Sequence, residues 1–501
     1  MAIIPSTQKF HTVSAEVDTV NRGSKLANSG REAVTMQDII DSVPSSPSLF
    51  EEGTGGATST QRVGSGTASQ TYSTISGGVG NTASNDYSTV SGGESNEASG
   101  GSSTVSGGVY NTASGDGSFV GGGDGNTASG GNAFIGGGGY NVASQTYSTV
   151  GGGTYNEASN YYSTVGGGQE NTASETHSTI SGGSSNIASG DYSTVGGGFA
   201  NTASGQNSAV GGGYYNVASG DASTIGGGGR YAYPNTASEG YTFIGGGYGH
   251  TASGYVSTIS GGISNNASGP QSTISGGQNN TTSGYISSIG GGSQNNASGN
   301  YAVIGGGTYN IVSGTQSTIG GGTYNIASGS YYSTVGGGTS NEATADSSTV
   351  SGGSGNYANG GYSTVGGGQS NTSALEYATT SGGYNNNASA NSSTISGGVG
   401  NTASGNGSFV GGGSQNNASG QNSVVSGGYY NVASAENSVI VGGSYNNTST
   451  FASTIIAGNA ITADQSGCTF VSKLSIKSIP TSAAGLPSGS VWSNGGVLNI
   501  V

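Results

Sequence analysis

Tyrosine is the residue whose type and spacing in this chain could contact a ligand. It recurs five residues after the β-branched residue of a short repeat, and other tyrosines flank an arginine in an insertion between two copies. A tyrosine ring among Ser, Gly and Asn offers an aromatic face and a hydroxyl group, which together can pack on a sugar ring. The candidate receptor-binding residues are Tyr110, Tyr140, Tyr155, Tyr215, Arg230, Tyr231, Tyr233, Tyr309 and Tyr324. The alternative is that these rings stack on one another between coils or between chains.

The insertion is the most specific part of this set. Residues Gly229 to Asn235 lengthen one step of the repeat and contain Arg230, Tyr231 and Tyr233. Insertions in repeat proteins lie in loops on one face, so the segment is predicted to be a protruding contact loop. A tolerated bulge is the alternative.

Catalytic and metal-binding chemistry is not indicated. The histidines His11, His177 and His250 lie far apart in the sequence, and the single Cys468 has no companions for a metal site or a disulfide. Glycine runs such as Gly151–Gly153 lack the following Lys-Ser/Thr pair and helix start of a phosphate loop. The sequence therefore predicts no enzyme, no metal site and no cofactor.

Composition and charge narrow the function classes further. Of 501 residues, 105 are glycine and only 6% are charged, which is unlike a globular enzyme. The formal net charge is -15, and Arg230 is the only Lys or Arg between Arg62 and Lys473. Because binding to a nucleic-acid backbone needs clustered Lys and Arg, no nucleic-acid partner is expected.

The chemistry-bearing residues are positioned by a repeat of fifteen residues. A Val or Ile recurs at this spacing from Ile75 to Ile225, from Ile244 to Ile319 after the insertion, and from Val335 to Ile455 after one extra residue, with a single Thr in its place. Disordered tracts have no reason to keep such a register. Fixed self-similarity over about 26 copies is typical of a solenoid in which each copy is one coil.

Each coil is predicted to contain two short strands. The alternation places Ser73 and Ile75 on one face and Thr74 on the other, and Asn81 and Ala83 share the inward face of a second strand. The Gly pair of each copy excludes a helix, because Gly inside a helix costs about 1 kcal/mol. The predicted fold class is all-β, a parallel β-solenoid or β-roll with a flattened coil of two strands.

An Asn follows six residues after each Val or Ile. His250 replaces it once, and the insertion displaces it to Asn235. Asn tolerates the left-handed backbone region after a Gly run, and stacked Asn side chains form amide ladders. Because the position repeats whatever surrounds it, a turn or ladder role is predicted rather than a ligand role.

The chain divides into three predicted segments: an N-terminal attachment module and linker at 1–60, the solenoid shaft at 61–464 and a β cap at 465–501. In the cap, strands are predicted at 470–471 and 474–476, and Asn494-Gly495 predicts a hairpin. One Val or Ile and one Ala per coil is a thin core, so several chains are expected to associate along the long axis. Neither a secretory signal nor an apolar stretch of spanning length is recognised, so no Sec export and no membrane span are expected.

Residues Ser193 to Gly205, Ser-Thr-Val-Gly-Gly-Gly-Phe-Ala-Asn-Thr-Ala-Ser-Gly, resemble the head repeats of trimeric autotransporter adhesins. The likeness covers about four fifths of the chain. It implies a trimer of left-handed parallel β-rolls, so three is the expected number of chains. Members of that family carry an export signal and a membrane anchor, and neither is expected here.

The ends of the chain resemble different proteins, the structural and fibre proteins of tailed bacteriophages. This resemblance rests on Met1–Lys9, Thr35–Ile40 and Gly485–Trp492. It implies that residues 1–60 dock on a virion, that the distal part meets the host, and that the chain folds in the host cytoplasm and leaves by lysis. The expected function is a structural fibre or adhesin subunit of a phage virion, with a surface for host glycans. The alternatives are a self-assembling extracellular filament protein without a receptor role and, from an outward Thr column, an ice-binding solenoid.

Overall fold

The computed structural model describes residues 50–52, 60–62, 66–475, 479–494 and 497–501. Within these residues the repeats form an all-β parallel solenoid of about 27 turns with no helix, which confirms the predicted fold class. Each turn contributes one short strand to each of two ladders, and successive strands of a ladder pair in parallel.

The first ladder contains Thr60–Arg62, Thr74–Ile75, Thr89–Val90, Thr104–Val105, Phe119–Val120, Phe134–Ile135, Thr149–Val150, Thr164–Val165, Thr179–Ile180, Thr194–Val195, Ala209–Val210, Thr224–Ile225, Phe243–Ile244, Thr258–Ile259, Thr273–Ile274, Ser288–Ile289, Val303–Ile304, Thr318–Ile319, Thr334–Val335, Thr349–Val350, Thr364–Val365, Thr379–Thr380, Thr394–Ile395, Phe409–Val410, Val424–Val425, Val439–Ser444, Ile455–Asn459 and Thr469–Val471. The second ladder contains Gly66–Ala68, Asn81–Ala83, Glu97–Ala98, Thr112–Ala113, Thr127–Ala128, Val142–Ala143, Glu157–Ala158, Thr172–Ala173, Ile187–Ala188, Thr202–Ala203, Val217–Ala218, Thr236–Ala237, Thr251–Ala252, Asn266–Ala267, Thr281–Thr282, Asn296–Ala297, Ile311–Val312, Ile326–Ala327, Glu342–Ala343, Tyr357–Ala358, Thr372–Ser373, Asn387–Ala388, Thr402–Ala403, Asn417–Ala418 and Val432–Ala433.

Alternation along each strand sorts the side chains into an inward and an outward set. Ile75 is buried, and the adjacent Thr74 is half-buried on the outer side. In the second ladder Asn81 and Ala83 are buried, with the half-buried Thr82 between them. Each coil thus buries one β-branched residue and one Ala with an inward Ser and Asn, and the predicted faces are confirmed.

A third line of parallel contacts supplements the two predicted strands. Four residues after each Val or Ile, single residues form parallel bridges from turn to turn, such as Val79 with Glu94. The bridges run from Val79 to Tyr214 and again from Tyr248 to Ser444, with a break at the insertion. The prediction of a flattened coil of two strands is therefore incomplete, because a single-residue bridge has no alternation that a sequence could reveal.

The recurring Asn forms a buried ladder through the solenoid. The backbone N–H of Asn171 donates to Oδ1 of Asn156 at 3.1 Å, and its Nδ2 donates to the same oxygen at 3.0 Å. Nδ2 also donates to the carbonyls of Gly167 at 3.0 Å and Gly183 at 2.9 Å. The ladder role is confirmed. The left-handed role is wrong, because the positive φ belongs to the preceding residue, here Glu170 at 55°.

Most backbone amides donate to a carbonyl of the next coil. At two left-handed positions in each coil the amide instead donates to a carbonyl of the preceding coil. The N–H of Thr154 donates forward to the next coil, whereas the N–H of Tyr155 donates backward to the carbonyl of Gly139 at 2.9 Å. The N–H of Tyr147 donates backward to Gly131 at 2.9 Å in the same way. A left-handed residue other than Gly costs about 1–2 kcal/mol. The backward bond between coils offsets part of this cost.

One glycine of each run is required by close contact. Gly183 has φ +92°, and a Cβ at this position would lie 2.3 Å from the carbonyl oxygen of Gly198 and 2.6 Å from Nδ2 of Asn186. The preceding Gly182 has no atom closer than the carbonyl oxygen of Gly167 at 4.0 Å to such a Cβ. The two glycines therefore differ in their tolerance of a side chain.

The apolar core of the described residues consists of three clusters, and buried hydroxyl groups lie at the two boundaries. At the first, Thr282 replaces the inward Ala and bonds Oγ of Ser272 at 3.0 Å. At the second, Ser373 and Thr380 replace both inward apolar residues, and their hydroxyl oxygens lie 3.1 Å apart. The hydroxyl of Ser373 also lies 2.9 Å from the carbonyl oxygen of Thr364, and the hydroxyl of Thr380 lies 3.0 Å from that of Thr372.

The two ends of the stack depart from the regular pairing. Phe50–Glu52 pairs antiparallel with Thr60–Arg62, so the first ladder starts from an antiparallel edge strand. Near the other end Ile440 pairs with Ile456, which is buried, whereas Ile455 is 42% exposed. The predicted inward position at Ile455 is therefore wrong by one residue, because the step from Ile440 to its partner Ile456 is one residue longer than the repeat.

Beyond the shaft, the first ladder continues to Thr469–Val471, and a separate antiparallel pair follows. Val491–Asn494 pairs with Val497–Ile500, which confirms the predicted hairpin but places Asn494 in the strand, paired with Val497. Leu474 and Ser475 lie outside any strand, contrary to prediction, and the third residue of that predicted strand lies outside the described residues.

The predicted N-terminal module lies almost entirely outside the described residues, since only 50–52 and 60 of its residues are included. In the part of the chain that is described, no helix has the length and apolar character needed to cross a membrane.

Candidate functional site

Six of the predicted tyrosines, those in the column five residues after the inward Val or Ile, lie at left-handed turns on the outside of the coil. Tyr110, Tyr140, Tyr155, Tyr309 and Tyr324 have φ between 55° and 57°, and their side chains are 39–61% exposed. The backward amide bond fixes the same backbone geometry in every coil. Each tyrosine in this column is therefore presented at the same point of its turn.

Neighbouring rings stack wherever two consecutive coils carry a tyrosine in this column. The ring centroids of Tyr140 and Tyr155 lie 5.2 Å apart at 10°, and those of Tyr309 and Tyr324 lie 4.8 Å apart at 6°. The separation follows from the spacing of parallel strands, about 4.8 Å. Stacking between coils is therefore present, and the outer parts of the rings stay exposed. Tyr110 stacks on no ring within the described residues.

A carboxylate lies beside one of these rings. The negative charge of Asp124, then burial and a hydrogen bond to the same carboxylate, raise the pKa of Tyr140 above its ordinary value. The phenol of Tyr140 is the donor and the carboxylate of Asp124 the acceptor of this hydrogen bond.

The insertion folds as a tight turn. The N–H of Arg230 donates to the carbonyl of Tyr233 at 3.2 Å, and the N–H of Tyr233 donates to the carbonyl of Arg230 at 2.9 Å. Tyr231 lies between them and is 82% exposed. Gly229 enters the turn at φ 78°, where a Cβ would lie 2.1 Å from the carbonyl oxygen of Tyr214. The predicted protruding loop is thus an exposed two-residue turn.

Aromatic rings surround this turn and form what we call the Arg230 cluster. The guanidinium carbon of Arg230 lies 5.4 Å from the ring centroid of Tyr248. The ring of Tyr231 meets that of Tyr215 edge to face at 5.2 Å. The members of the cluster are Phe199, Tyr215, Arg230, Tyr231, Tyr233 and Tyr248.

The Arg230 cluster combines a cation with exposed aromatic faces. Among the described residues the guanidinium of Arg230 makes no hydrogen bond or ion pair, so its N–H donors are available to a ligand. A guanidinium near a ring is held by about 0.5–1 kcal/mol at an exposed site. This arrangement can bind hydroxyl or carboxylate oxygens while a ring packs on an apolar face.

The structure brings together only part of the predicted set. Tyr215, Arg230, Tyr231 and Tyr233 share one cluster, whereas the remaining tyrosines form two stacked pairs and one isolated ring. The insertion is therefore the one place where predicted residues from different repeat positions meet.

Sequence reasoning missed the ring partners of that cluster. Phe199 and Tyr248 lie four residues after the inward Val or Ile, at the position of the third line of bridges. Counting aromatic residues at this spacing would have found them. The candidate set also omits a column of four stacked rings with centroid separations of 4.8–5.0 Å, formed by Tyr147, Tyr162, His177 and Tyr192.

A second aromatic group near the far end of the shaft was also omitted. Tyr429 meets Tyr430 edge to face at 4.3 Å, and Tyr430 stacks on Tyr445 at 5.5 Å and 3°. Burial, then a hydrogen bond with Tyr430, raise the pKa of Tyr429 above its ordinary value. The group carries no cation of the kind found at the insertion.

The histidines serve the scaffold in the described part of the chain. His250 is buried in the Asn ladder. Its backbone N–H donates to Oδ1 of Asn235 at 3.1 Å, and its ring Nδ1 accepts from the backbone N–H of Asn265 at 3.1 Å. Burial lowers the pKa of His250, opposed only in part by neighbouring backbone groups. His177 lies in the ring column, and His11 lies outside the described residues. Over those same residues, no three His, Cys, Asp or Glu side chains come together as ligands for a metal ion.

Comparison with known proteins gives one family match. Residues 88–100, Ser-Thr-Val-Ser-Gly-Gly-Glu-Ser-Asn-Glu-Ala-Ser-Gly, match the ubiquitous surface protein adhesin repeat. The matched segment contains the inward Ser, Val, Asn and Ala of one coil, since Ser88, Val90, Asn96 and Ala98 are all buried. No curated protein matches the chain significantly. The short match and the solenoid together fit an adhesin-like repeat protein, and such an architecture suggests a structural or adhesin role.

Proposed function

We propose that the chain is a non-enzymatic fibre or adhesin subunit of a tailed-phage virion, which acts as a rod-like spacer and carries a glycan-binding surface to the host cell. The observation that carries the adhesin part is the Arg230 cluster. There an exposed turn presents Tyr231 and an unpaired guanidinium beside further rings. The inward residues build the shaft, whereas these side chains have no such role.

Host-surface glycans are the partner that best fits this surface. A sugar offers hydroxyl groups to the Arg230 donors and an apolar ring face to Tyr231 or Tyr233. Acidic sugars would add a carboxylate, which Arg binds in a bidentate manner. The stacked pairs Tyr140–Tyr155 and Tyr309–Tyr324 would supply weaker contacts of the same kind.

The virion assignment is supported by the resemblance of the chain ends to phage structural proteins. In this proposal residues 1–60 attach the fibre to the particle, and the protein is made in the host cytoplasm and becomes extracellular on lysis. Labelling of purified virions with an antibody against the shaft tests it, and the expected result is label on the tail of the particle. Label absent from virions would overturn the virion role.

A homotrimer is proposed for the shaft. Each coil buries only one β-branched residue and one Ala, while large apolar side chains such as Phe134 and Phe243 remain about 40% exposed on the first ladder. Packing of several chains would cover such residues. Sedimentation equilibrium is expected to give three times the chain mass of 48.1 kDa. A monomer would contradict the proposal.

Receptor binding is tested with two cluster variants and one matched control. Arg230→Ala and Tyr231→Ala are expected to abolish binding to host cells and to a glycan array. Tyr362→Ala removes an exposed tyrosine elsewhere on the shaft and is expected to bind normally. Normal binding by both cluster variants would rule out this surface as the receptor site.

The filament alternative is separated by microscopy. Negative-stain images of the purified protein are expected to show discrete rods. Filaments that grow without virions would favour a self-assembling protein with no receptor role. An ice-binding role is not favoured, because the stacked rings of Phe119 and Phe134 interrupt the outward Thr column.

A further inference from the structure

A cleft of about 420 Å³ lies across three consecutive coils of the shaft and shares no lining residue with the Arg230 cluster. The residues that line it include the acidic Asp221 and Glu239 and the aromatic Tyr241 and Tyr255. The volume falls within the range of small-molecule sites, about 300–1,000 Å³.

The cleft exists because two neighbouring outward positions lack a large side chain. Gly240 occupies the column between Asp221 and Tyr255, so no side chain of the intervening coil separates Asp221 from the ring of Tyr255. Two coil spacings separate them, about 10 Å of backbone. Ala222, one coil before Tyr241 in the adjacent column, carries no ring to stack on it.

The two carboxylates are not used by the fold. Elsewhere in the column of Asp221 the carboxylate secures the backbone: Oδ1 of Asp116 accepts the N–H of Gly101 at 2.9 Å, and Oδ1 of Asp346 accepts the N–H of Tyr331 at 3.1 Å. Among the described residues the side chains of Asp221 and Glu239 make neither a hydrogen bond nor an ion pair. Their oxygens are therefore available to a ligand.

The aromatic walls also differ from the regular columns. Tyr241 and Tyr255 meet edge to face at 84° with centroids 5.8 Å apart, whereas Tyr362 and Tyr377 stack at 13°. The ring of Tyr255 lies over Gly240, where a Cβ would be 3.3 Å from its Cε2. Because the two rings do not stack face to face, both keep exposed surface: Tyr241 is 60% and Tyr255 is 51% exposed.

We infer that this cleft binds a small ligand that carries an ammonium group on a body no larger than an amino sugar. Two unpaired carboxylates supply charge-assisted acceptors for N–H donors, and aromatic faces attract the same cation. The only Lys or Arg between Arg62 and Lys473 is Arg230, which belongs to another cluster. The inference goes beyond the proposed function and holds even if the shaft is only a spacer.

Calorimetric titration of the full-length protein tests the inference with ligands that share one ring. Glucosamine is expected to bind, and glucose and N-acetylglucosamine are expected to bind at least about tenfold more weakly, because they lack the ammonium group. Choline carries a quaternary ammonium without a sugar ring. Tighter binding of choline than of glucosamine would assign the ligand to a headgroup, and the reverse order to an amino sugar.

Matched variants locate the binding. The double variant Asp221→Asn with Glu239→Gln removes both charges with little change in shape and is expected to weaken glucosamine binding at least about tenfold. Glu376→Gln makes the same change at the repeat position of Asp221 in a distant coil and is expected to have no effect. Circular dichroism is expected to be the same for all three proteins.

Three results would overturn the inference: no ammonium ligand binds, glucose binds as well as glucosamine, or the Glu376 variant weakens binding as much as the double variant. Tyr231→Ala separates this site from the proposed receptor surface. It is expected to lose host-cell binding while it keeps glucosamine binding.

Discussion

Replacement of Asn171 by alanine tests whether the buried amide ladder holds the coils together. The substitution removes the Nδ2 donors that serve Oδ1 of Asn156 and the carbonyls of Gly167 and Gly183. It also removes the Oδ1 acceptor used by the N–H of Asn186 at 3.0 Å and by its Nδ2 at 3.1 Å.

The magnitude follows from the number of protons lost. Nδ2 of Asn171 has two protons for three acceptors, so two bonds are lost there, at about 1 kcal/mol each. The buried N–H of Asn186 loses its acceptor outright, which costs about 1–3 kcal/mol. Nδ2 of Asn186 keeps two carbonyl acceptors, so its loss is small. The expected decrease in the free energy of unfolding of the surrounding coils is about 3–5 kcal/mol.

Hydrogen exchange measured by mass spectrometry on the full chain is the assay, because it reports the opening of individual coils. Protection in the coils next to Asn171 is expected to fall by more than about 100-fold, with little change far away, since each coil contacts only its neighbours. Thr172→Ala is the control. Its side chain is outward and makes no side-chain hydrogen bond, so a change below about 0.5 kcal/mol is expected. Equal effects of the two variants would refute a stabilising ladder.

Three further experiments test other parts of the scaffold. Gly183→Ala is expected to destabilise the protein by at least about 2 kcal/mol in thermal unfolding, whereas Gly182→Ala is tolerated; equal melting temperatures would contradict the contact argument. The pKa of His250 is lowered in the folded protein. Near and below the ordinary pKa of 6.5 the unfolded chain therefore binds more protons than the folded one, and the free energy of unfolding decreases as the pH drops through this value. His250→Asn is expected to remove this acid dependence in unfolding curves recorded between about pH 7 and pH 5, and an unchanged slope would contradict it. The double variant Ser373→Ala with Thr380→Val restores the apolar pair of other coils and is expected to raise the free energy of denaturant unfolding by about 1–2 kcal/mol; a loss would show that the hydroxyl pair stabilises the shaft.

The regular part of the fold could be predicted because two periods coincide in the sequence. The alternation around Ile75 determines which side chains face inward, and the fifteen-residue step determines which strands pair. Both depend on local backbone geometry that every coil repeats. The Asn position was assigned correctly to a ladder for the same reason, although its backbone conformation was not.

The departures arise where the backbone loses that repetition. Ile455 was assigned inward by counting, but one extra residue in the coil that follows Ile440 places Ile456 in the core instead. The single-residue bridges, such as Val79 with Glu94, have no pattern of their own, because their residues differ from coil to coil. Such features depend on contacts between coils rather than on local preference.

The candidate site could be predicted only in part. Tyr231 and Arg230 were identified because an insertion interrupts the period, yet the approach of Tyr248 to Arg230 depends on the path of the inserted turn. The cleft was not foreseen at all. It results from missing side chains at Gly240 and Ala222, and an absence becomes visible only when the columns are aligned in space.

The separation of inward structural residues from outward variable residues in each coil has a consequence for how such a protein can evolve. Inward Ser, Val or Ile, Asn and Ala close the turn, while the outward residue between the two buried positions of the second ladder varies freely, from Thr82 to Glu97 to Val142. A point mutation at this position changes the surface of one coil and leaves its buried residues unchanged. Under selection for a different surface, the outward residues can therefore diverge one coil at a time while the fold is retained.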